Sequence, residues 1–380
     1  MTIAGNPQPG ATAVDITELR PGPFNSEPTS FQLDTGYGAP ERVRLIEARR
    51  LLNYLILPTY VDPDAHKQES TGVFASHLGL PVSEGILDAH KQVIKDNVKF
   101  IAGVASIRSN GSARRPKEVS VAVLQFESDS ESSWAAKELN NISMTVGARN
   151  SLDIPGHPNA HSSSSEGNAQ IDTWQPHGPY VVFISTKQPP GESNTAISRV
   201  KNSLEEQNRA LDTQRPIPLD DVLDQPLDPD NIVRRTMDRE SRDAIPSTDD
   251  FGTYLPAGIL HYQNNSVDAR KEFETAGVDL VGRRASTVYR TRDAAAAFGL
   301  QAFLTRRGRD DTPLTPPFGI ADAQCVRFDT FDDRENNAIC VVVHGRYVAV
   351  VSAKSTGYSQ IDIGLQERTA AQFIILEKCE

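Results

Sequence analysis

The hydrophobic and polar positions of the chain follow strand-like and helix-like periods, and the same order of periods occurs twice. Residues 119–126 (VSVAVLQF) are β-rich and alternating, and residues 132–139 (SSWAAKEL) follow at helical spacing. In the second occurrence, ASTVY at 285–289 precedes the alanine-rich DAAAAFGL at 293–300. The pattern therefore predicts a strand that leads into a helix in each half of the chain.

A β-hairpin is predicted near the end of each half, where HGPYVVFISTK (177–187) and HGRYVAVVSAK (344–354) are nearly the same phrase. In the second copy the β-rich runs leave only the His-Gly pair between them, which favours a primed turn. Gly accepts the positive φ of such a turn, and His tolerates it better than most side chains. We expect the first turn to be lengthened by its prolines. The residues predicted at the turns, with a structural role, are His177, Gly178, His344 and Gly345.

Three further matches occur in the same order and at nearly the same offset. They are VDPD (61–64) with LDPD (227–230), GIL (85–87) with GIL (258–260), and DIP (153–155) with GIA (319–321). A repeated order at a nearly constant offset indicates an internal duplication. We predict an α+β protein of two related domains, each a small antiparallel sheet with helices packed on one face.

The domain boundaries follow from the repeats and from composition. Residues 1–40 are rich in Pro and Gly and are interpreted as an extended arm or tether, and 41–190 as the first α+β repeat. Residues 191–215 are interpreted as a helical linker and 216–380 as the second repeat. The serine run at 162–167 is interpreted as a loop.

The two Asp-Pro motifs predict helix starts. Asp62 and Asp228 are expected to be N-caps, because Pro at the first helical position has its φ already set and needs no donor. A calcium loop is the alternative, but the spaced oxygen ligands and central Gly of an EF-hand are missing.

Cys325 and Cys340 lie in successive strand-like runs, AQCVRF and AICVVV. If these runs pair, the two thiols can form a disulfide. By closing the loop between them, the disulfide would stabilise the folded state by roughly 3 kcal/mol. The alternative is two reduced cysteines buried as small hydrophobic groups. Cys379 is expected to be free.

Charge and hydropathy limit the partners. The net charge of −11 and the pI near 5.3 argue against nucleic acid, which needs a basic face. The longest apolar run, LLNYLIL at 51–57, is far shorter than a membrane span, and residues 1–20 lack the features of a signal peptide. The chain as given is therefore interpreted as soluble.

No catalytic or cofactor motif stands out. A zinc site of His157, His161 and His177 is disfavoured, because the second copy has no histidine at the first two positions. We expect no metal and no cofactor. Nucleophile, P-loop and dinucleotide motifs are absent, although a Ser, His and Asp could still converge in space. An enzyme is therefore less favoured than a binding protein, without being excluded.

Several phrases together resemble a family of actinobacterial cell-envelope lipoproteins that carry a domain of unknown function. These are VDITELRPGPFNSEP, the LDTG turn, RLIEARRLLNYLILPTYVDPD, and LDTQRPIPLDDVL with LDPDNIVRRTM. The second half, with DAAAAFGLQAFL and its two cysteines, also resembles the extracellular sensor domains of mycobacterial receptor kinases. The resemblance implies an extracellular protein whose lipid anchor precedes the arm and is absent from this chain, and this setting favours the Cys325–Cys340 disulfide.

We therefore expect a surface-exposed, non-enzymatic binding or sensing module. Its partner would be a small molecule, a lipid or an envelope protein in a cleft between the repeats. One alternative is an envelope hydrolase with a Ser/His/Asp site assembled in space, and another is a scaffold of an envelope assembly.

Overall fold

A computed structural model describes residues 14–32, 39–97, 99–166, 169–189, 193–214, 217–222, 224–238, 249–332, 334–355 and 359–379. The chain divides into two compact units. The first unit comprises Leu33–Gln225 and Leu260–Val267, and the second comprises Met1–Gln32, Pro226–Ile259 and Asp268–Glu380. None of the described helices combines the length and apolarity that a membrane-spanning helix needs.

Seven antiparallel strands form the sheet of the first unit, in the order β1-β2-β3-β7-β6-β5-β4. The strands are β1 (Lys67–Phe74), β2 (Phe100–Ser109), β3 (Glu118–Phe126), β4 (Arg149–Ser151), β5 (His161–Ser165), β6 (Gln170–His177) and β7 (Tyr180–Lys187). The helices are α1 (Ala39–Leu52), α2 (Pro58–Val61), α3 (His90–Asp96), α4 (Asp129–Ser143), α5 (Ser193–Asp212) and α6 (Leu219–Val222).

The sheet of the second unit also has seven antiparallel strands, in the order β8-β9-β10-β14-β13-β12-β11. The strands are β8 (Gly252–Tyr254), β9 (Leu280–Arg283), β10 (Ser286–Arg290), β11 (Thr312–Leu314), β12 (Gln324–Arg327), β13 (Ala338–His344) and β14 (Tyr347–Ala353). The helices in this part of the chain are α7 (Pro256–Ile259), α8 (Ser266–Ala276), α9 (Ala294–Leu304) and α10 (Ile363–Glu377).

The two sheets have the same topology, which confirms two related α+β halves. Each strand from β1 to β7 has its counterpart seven strands later, and α4 and α9 occupy the same place after the third strand. The repeated phrases lie at equivalent positions. The two Gly-Ile-Leu segments lie between the first two strands of each sheet, and DIP and GIA lie between the fourth and fifth strands. The segment 191–215, interpreted as a linker, contains α5, which packs on β6 and β7 as α10 packs on β13 and β14.

Helices cover both faces of the first sheet, although the sequence pattern predicted one face. On one side Leu124 and Phe183 form a core with Leu139 of α4. The strand residues that point the other way, including Val121 and Ile184, are equally buried. Because α1, α2 and α5 contact β2, β3 and β7, the second face is covered as well.

Both hairpin turns begin one residue later than predicted. His177 pairs with Tyr180 and His344 pairs with Tyr347, so each histidine is the last residue of its strand. The two-residue loops are residues 178–179 and 345–346, and the first is not lengthened by its prolines. Gly178 and Gly345 have φ of 54° and 53°, the positive value that a primed turn needs at its first position.

Asp62 is not a helix N-cap. It follows the short helix α2 and precedes β1 by a few residues, so no helix starts after it. Its buried carboxylate accepts hydrogen bonds from Arg199 Nη1 (2.7 Å) and Gln188 Nε2 (2.9 Å), and Lys117 Nζ lies 3.7 Å away. The buried Asp62 carboxylate therefore links the three segments of the first unit that contain Lys117, Gln188 and Arg199.

Asp228 does precede a helical turn, but the turn is 3₁₀ and not α. Pro229–Asn231 form this turn, and the Asp228 carboxylate accepts from the backbone N–H groups of Val233 (2.6 Å) and Arg234 (2.9 Å) further along. Asp228 therefore precedes the turn without capping it, and its carboxylate binds backbone N–H groups that follow the turn.

The described part of the N-terminal arm, residues 14–32, packs on the second unit and is not a free tether there. Leu19 is buried in a core cluster with Val288 and Phe373. The buried Arg284 guanidinium donates to the backbone carbonyl of Thr29 (2.8 Å) and to its hydroxyl (3.1 Å). Apolar residues spaced along the Pro-rich arm supply the contact surface.

Candidate functional site

A cavity of about 630 Å³ lies in the first unit, where the start of β3, the start of β6 and the end of α4 converge. Its walls come from the β1–β2 connection (83–87), the end of α4 with the following loop (143–149), and the side chains of Glu118, Ser165, Gln170 and Asp172. Most of these groups are polar, so the site suits a small polar ligand.

The floor of the cavity is a buried ion pair. Arg149 Nη2 lies 2.7 Å from Asp172 Oδ2, and the two side chains are 7% and 4% exposed. Arg149 also donates to Ser163 Oγ at 3.0 Å, and the Ser185 hydroxyl donates to Asp172 Oδ1 at 2.6 Å. Burial raises the pKa of Asp172, although Arg149 opposes this rise. The fixed hydrogen bonds hold both groups in place before any ligand arrives.

The rim of the cavity is acidic. Burial and the neighbouring Glu84 carboxylate raise the pKa of Glu118, which accepts a hydrogen bond from the Glu84 backbone N–H (3.1 Å). The Glu84 carboxylate pairs with Lys187 Nζ at 2.6 Å. Glu118 is therefore a carboxylate that a donor-bearing ligand would stabilise in its charged form.

Ser143 lines the cavity and lies 3.2 Å from His90 Nε2, so this pair must be examined as a nucleophile and base. The backbone N–H of Leu87 donates to His90 Nδ1 (2.9 Å), and burial lowers the pKa of His90 to about 4. The neutral ring therefore carries its proton on Nε2, which faces Leu139 O (3.1 Å) as well as the Ser143 hydroxyl. A general base needs a free lone pair towards the serine and a carboxylate behind the ring. His90 offers neither, and Ser143 accepts from Trp174 Nε1 at 3.1 Å instead.

The three histidines considered for zinc do not form a metal site. Among the residues that the structure describes, no group of three His, Cys, Asp or Glu side chains is arranged to hold a metal ion. His177 pairs with Asp212 (Nε2 to Oδ1, 2.7 Å), and burial lowers the pKa of His161.

Cys325 and Cys340 are directly opposite each other on β12 and β13 and form a disulfide. Cys379 is a free, half-buried thiol whose pKa is raised by burial.

None of the site residues predicted from the sequence lines the cavity. The structure brings together only Cys325 with Cys340, whereas the turn residues lie at two separate hairpins and Asp62 and Asp228 lie in different units. The sequence does contain one signal for the cavity: Asp172 interrupts a β-rich run two residues before the core residue Trp174. A charged residue at a core-facing strand position requires a buried partner.

Comparisons with known proteins identify the family. Residues 34–227 match the N-terminal domain of a family of unknown function (DUF7373), and residues 232–378 match its C-terminal domain. Among solved structures, the extracellular domain of PknH from Mycobacterium tuberculosis is similar at 13% identity with a TM-score of 0.28, a value that carries no argument about fold or function. That similarity covers 42% of this chain and 96% of the other. No curated protein matches the chain. Because the two family matches together cover most of the sequence, the protein belongs to the DUF7373 family.

Proposed function

We propose that this protein is a non-enzymatic binding or sensing module of the extracellular cell envelope, and that a small polar ligand binds in the cavity of the first unit. The observation that carries the proposal is the cavity floor, where Arg149 and Asp172 are held by fixed hydrogen bonds beside the acidic rim. Preorganised polar groups in a concave site favour binding because little ordering is needed when the ligand arrives.

The compartment is inferred from the disulfide. Disulfides persist in oxidising environments and are rare in reducing ones, so Cys325–Cys340 favours an exported protein. A lipid anchor ahead of the arm remains a proposal that rests on the resemblance to envelope lipoproteins. The acidic chain is not expected to bind nucleic acid.

The contact between Ser143 and His90 disfavours a hydrolase. The neutral His90 ring carries its proton on Nε2, which is the nitrogen that faces the Ser143 hydroxyl, so His90 cannot act as its base. A scaffold role would leave the cavity without a ligand, and the following experiment separates it from binding.

The experiment is native mass spectrometry of the protein purified from the producing cells, with an Ala148→Trp variant beside it. Ala148 lies on the cavity wall, and a Trp there would occupy part of the space. Ala113→Trp is the matched control, because Ala113 is exposed in a loop outside the cavity. We expect a bound small molecule in the wild type and the control, with its loss in Ala148→Trp. Equal binding in all three proteins, or no bound molecule in any, would contradict the proposal.

A further inference from the structure

The duplication provides a matched comparison between the two sheets. Because α4 packs with Trp174 and Phe183, strand residues of the opposite alternation face the side on which α5 packs. Four of them form the group that we call the polar face: Ser162, Thr173, Gln175 and Thr186. Ser162 is directly paired with Thr173, so the members are neighbours across β5, β6 and β7.

Every member of the polar face has a buried polar atom without a hydrogen-bond partner. These atoms are Ser162 Oγ, Thr173 Oγ1, Gln175 Oε1 and Thr186 Oγ1, in side chains that are at most 5% exposed. Asn208 of α5 has an unpartnered Oδ1 as well. Buried polar groups are nearly always paired, so a cluster of orphans on one face requires an explanation. The cavity is lined from the other alternation of the strands, by Asp172 and Gln170, and its hydrogen bonds are satisfied.

The second sheet shows that the fold does not need polar groups at these positions. The strand registers place Cys325, Cys340, Val342 and Ala353 at the equivalents of the four polar residues. The disulfide thus occupies the place of the Ser162–Thr173 pair. Both cysteines pack in an apolar cluster with Leu365 and other residues of α10.

The covering helices differ in how many apolar side chains they bury. Residues 369–376 of α10 are all buried and mostly apolar. Each helix buries one hydroxyl residue and one glutamine, Ser203 and Gln207 in α5 and Thr369 and Gln372 in α10. The buried apolar residues of α5 are Ala196, Val200, Leu204 and Leu211.

Two polar contacts also hold α5: Arg199 pairs with Asp62, and the Gln207 side chain bonds to the backbone of Tyr54 and Ile56. Because apolar contact is the main force that holds a helix on a sheet, and α5 buries fewer large apolar side chains than α10, we expect α5 to be held less firmly where it covers the polar face.

We propose that the polar face binds a neutral, hydroxyl-rich ligand of the polyol or saccharide class, and that α5 is the cover displaced when the ligand enters. Three hydroxyls can donate and accept, and Gln175 Oε1 accepts, which matches the donors and acceptors of sugar hydroxyls. None of the four side chains carries a charge. A charged ligand would therefore lose its hydration there without gaining an ion pair, so a neutral ligand is favoured. The site lies on the face of the sheet opposite the cavity and does not depend on the function proposed for the cavity.

Hydrogen–deuterium exchange of the full chain tests this proposal, with α10 as the internal reference for α5. Maltotriose, sucrose and inositol are the probes, and glucuronate and glucosamine are the charged controls. We expect α5 amides to exchange about tenfold faster than those of α10, and at least one neutral probe to slow α5 several-fold without an effect on α10.

The double variant Thr173→Val/Gln175→Val makes the face resemble its counterpart in the second sheet. It should slow α5 exchange without any probe and abolish the response to the neutral probes. Ser162→Ala, a milder change, should weaken the same response and serves if the double variant does not fold. Ala148→Trp should keep the response, because the cavity lies on the other face, and this separates the two proposals. Equal protection of α5 and α10, no response to any neutral probe, or an unchanged response in both face variants would overturn the proposal and leave ordered water as the partner of these groups.

Discussion

Replacement of Asp62 by alanine distinguishes a helix cap from a buried charge centre. A lost N-cap costs about 1 kcal/mol of unfolding free energy. Asp62 is instead fully buried and accepts hydrogen bonds from Arg199 and Gln188, with Lys117 close by. Its removal leaves two cations without this carboxylate, and breaking a buried pair costs roughly 3–5 kcal/mol.

The lower end of that range is expected here. The Arg199 side chain is 30% exposed, and Lys117 keeps a second contact to Asp64 at 2.8 Å. Solvent screening and the remaining contact reduce the penalty to about 3 kcal/mol. Asp62→Asn keeps the shape and removes the charge, so it should recover only part of this loss.

Tryptophan fluorescence in urea measures this loss in the first unit alone. The chain has two tryptophans, Trp134 and Trp174, and both lie in the first unit, with Trp174 fully buried. At about 2–3 kcal/mol per M of urea, the expected loss lowers the midpoint by roughly 1–1.5 M. Asp228→Ala is the matched control: it removes acceptors for two backbone N–H groups and should cost about 1 kcal/mol in the second unit, followed by circular dichroism. An Asp62→Ala loss no larger than that of Asp228→Ala would refute the buried-charge interpretation.

Three further predictions follow from buried groups. The pKa of His90 is about 4 in the folded state and about 6.5 in the unfolded state, so the first unit is most stable above pH 6.5. Its unfolding free energy should fall by about 3 kcal/mol as the pH is lowered to 4. In urea titrations, His90→Gln should reduce this dependence of stability on pH. Replacement of Cys325 and Cys340 by alanine opens a loop of 15 residues and should cost about 3 kcal/mol, seen as a lower calorimetric transition of the second unit with unchanged tryptophan fluorescence. A transition equal to that of the wild type would show that the disulfide adds no stability. Gly85→Ala places a Cβ on the Ser185 hydroxyl and should destabilise the first unit by roughly 1–3 kcal/mol in the same urea assay, whereas unchanged stability would mean that the segment shifts freely.

The sequence was most informative where a local pattern is sufficient. The strand-to-helix step, the closing hairpin and the order of the repeats depend on periodicity and on copies of the same phrase. The helix start predicted at Asp62 is wrong because an Asp-Pro pair suits a turn before a strand as well as a helix start. The buried partners of Asp62, such as Arg199, lie far away along the chain, so the local sequence does not reveal them.

The cavity and the polar face could not be predicted from local pattern. Arg149 and Asp172 meet only because β4, β5 and β6 are adjacent, and β4 is three residues long. Serine favours turns, so the run at 162–167 predicts a loop, yet residues 161–165 form β5. Pairing with β6 outweighs this local preference, so the role of Ser162 becomes visible only in the assembled sheet.

The docked arm has a consequence for biosynthesis. Residues 14–32 are synthesised long before their partners in the second unit: Glu27 pairs with Lys378, 351 residues later. The first unit also needs the segment 260–267, whose backbone carbonyls surround the buried Arg108 guanidinium. The arm must therefore wait, with Leu19 uncovered, until α10 has been made. Synthesis of α10, rather than of the first repeat, therefore sets the earliest moment at which the second core can close.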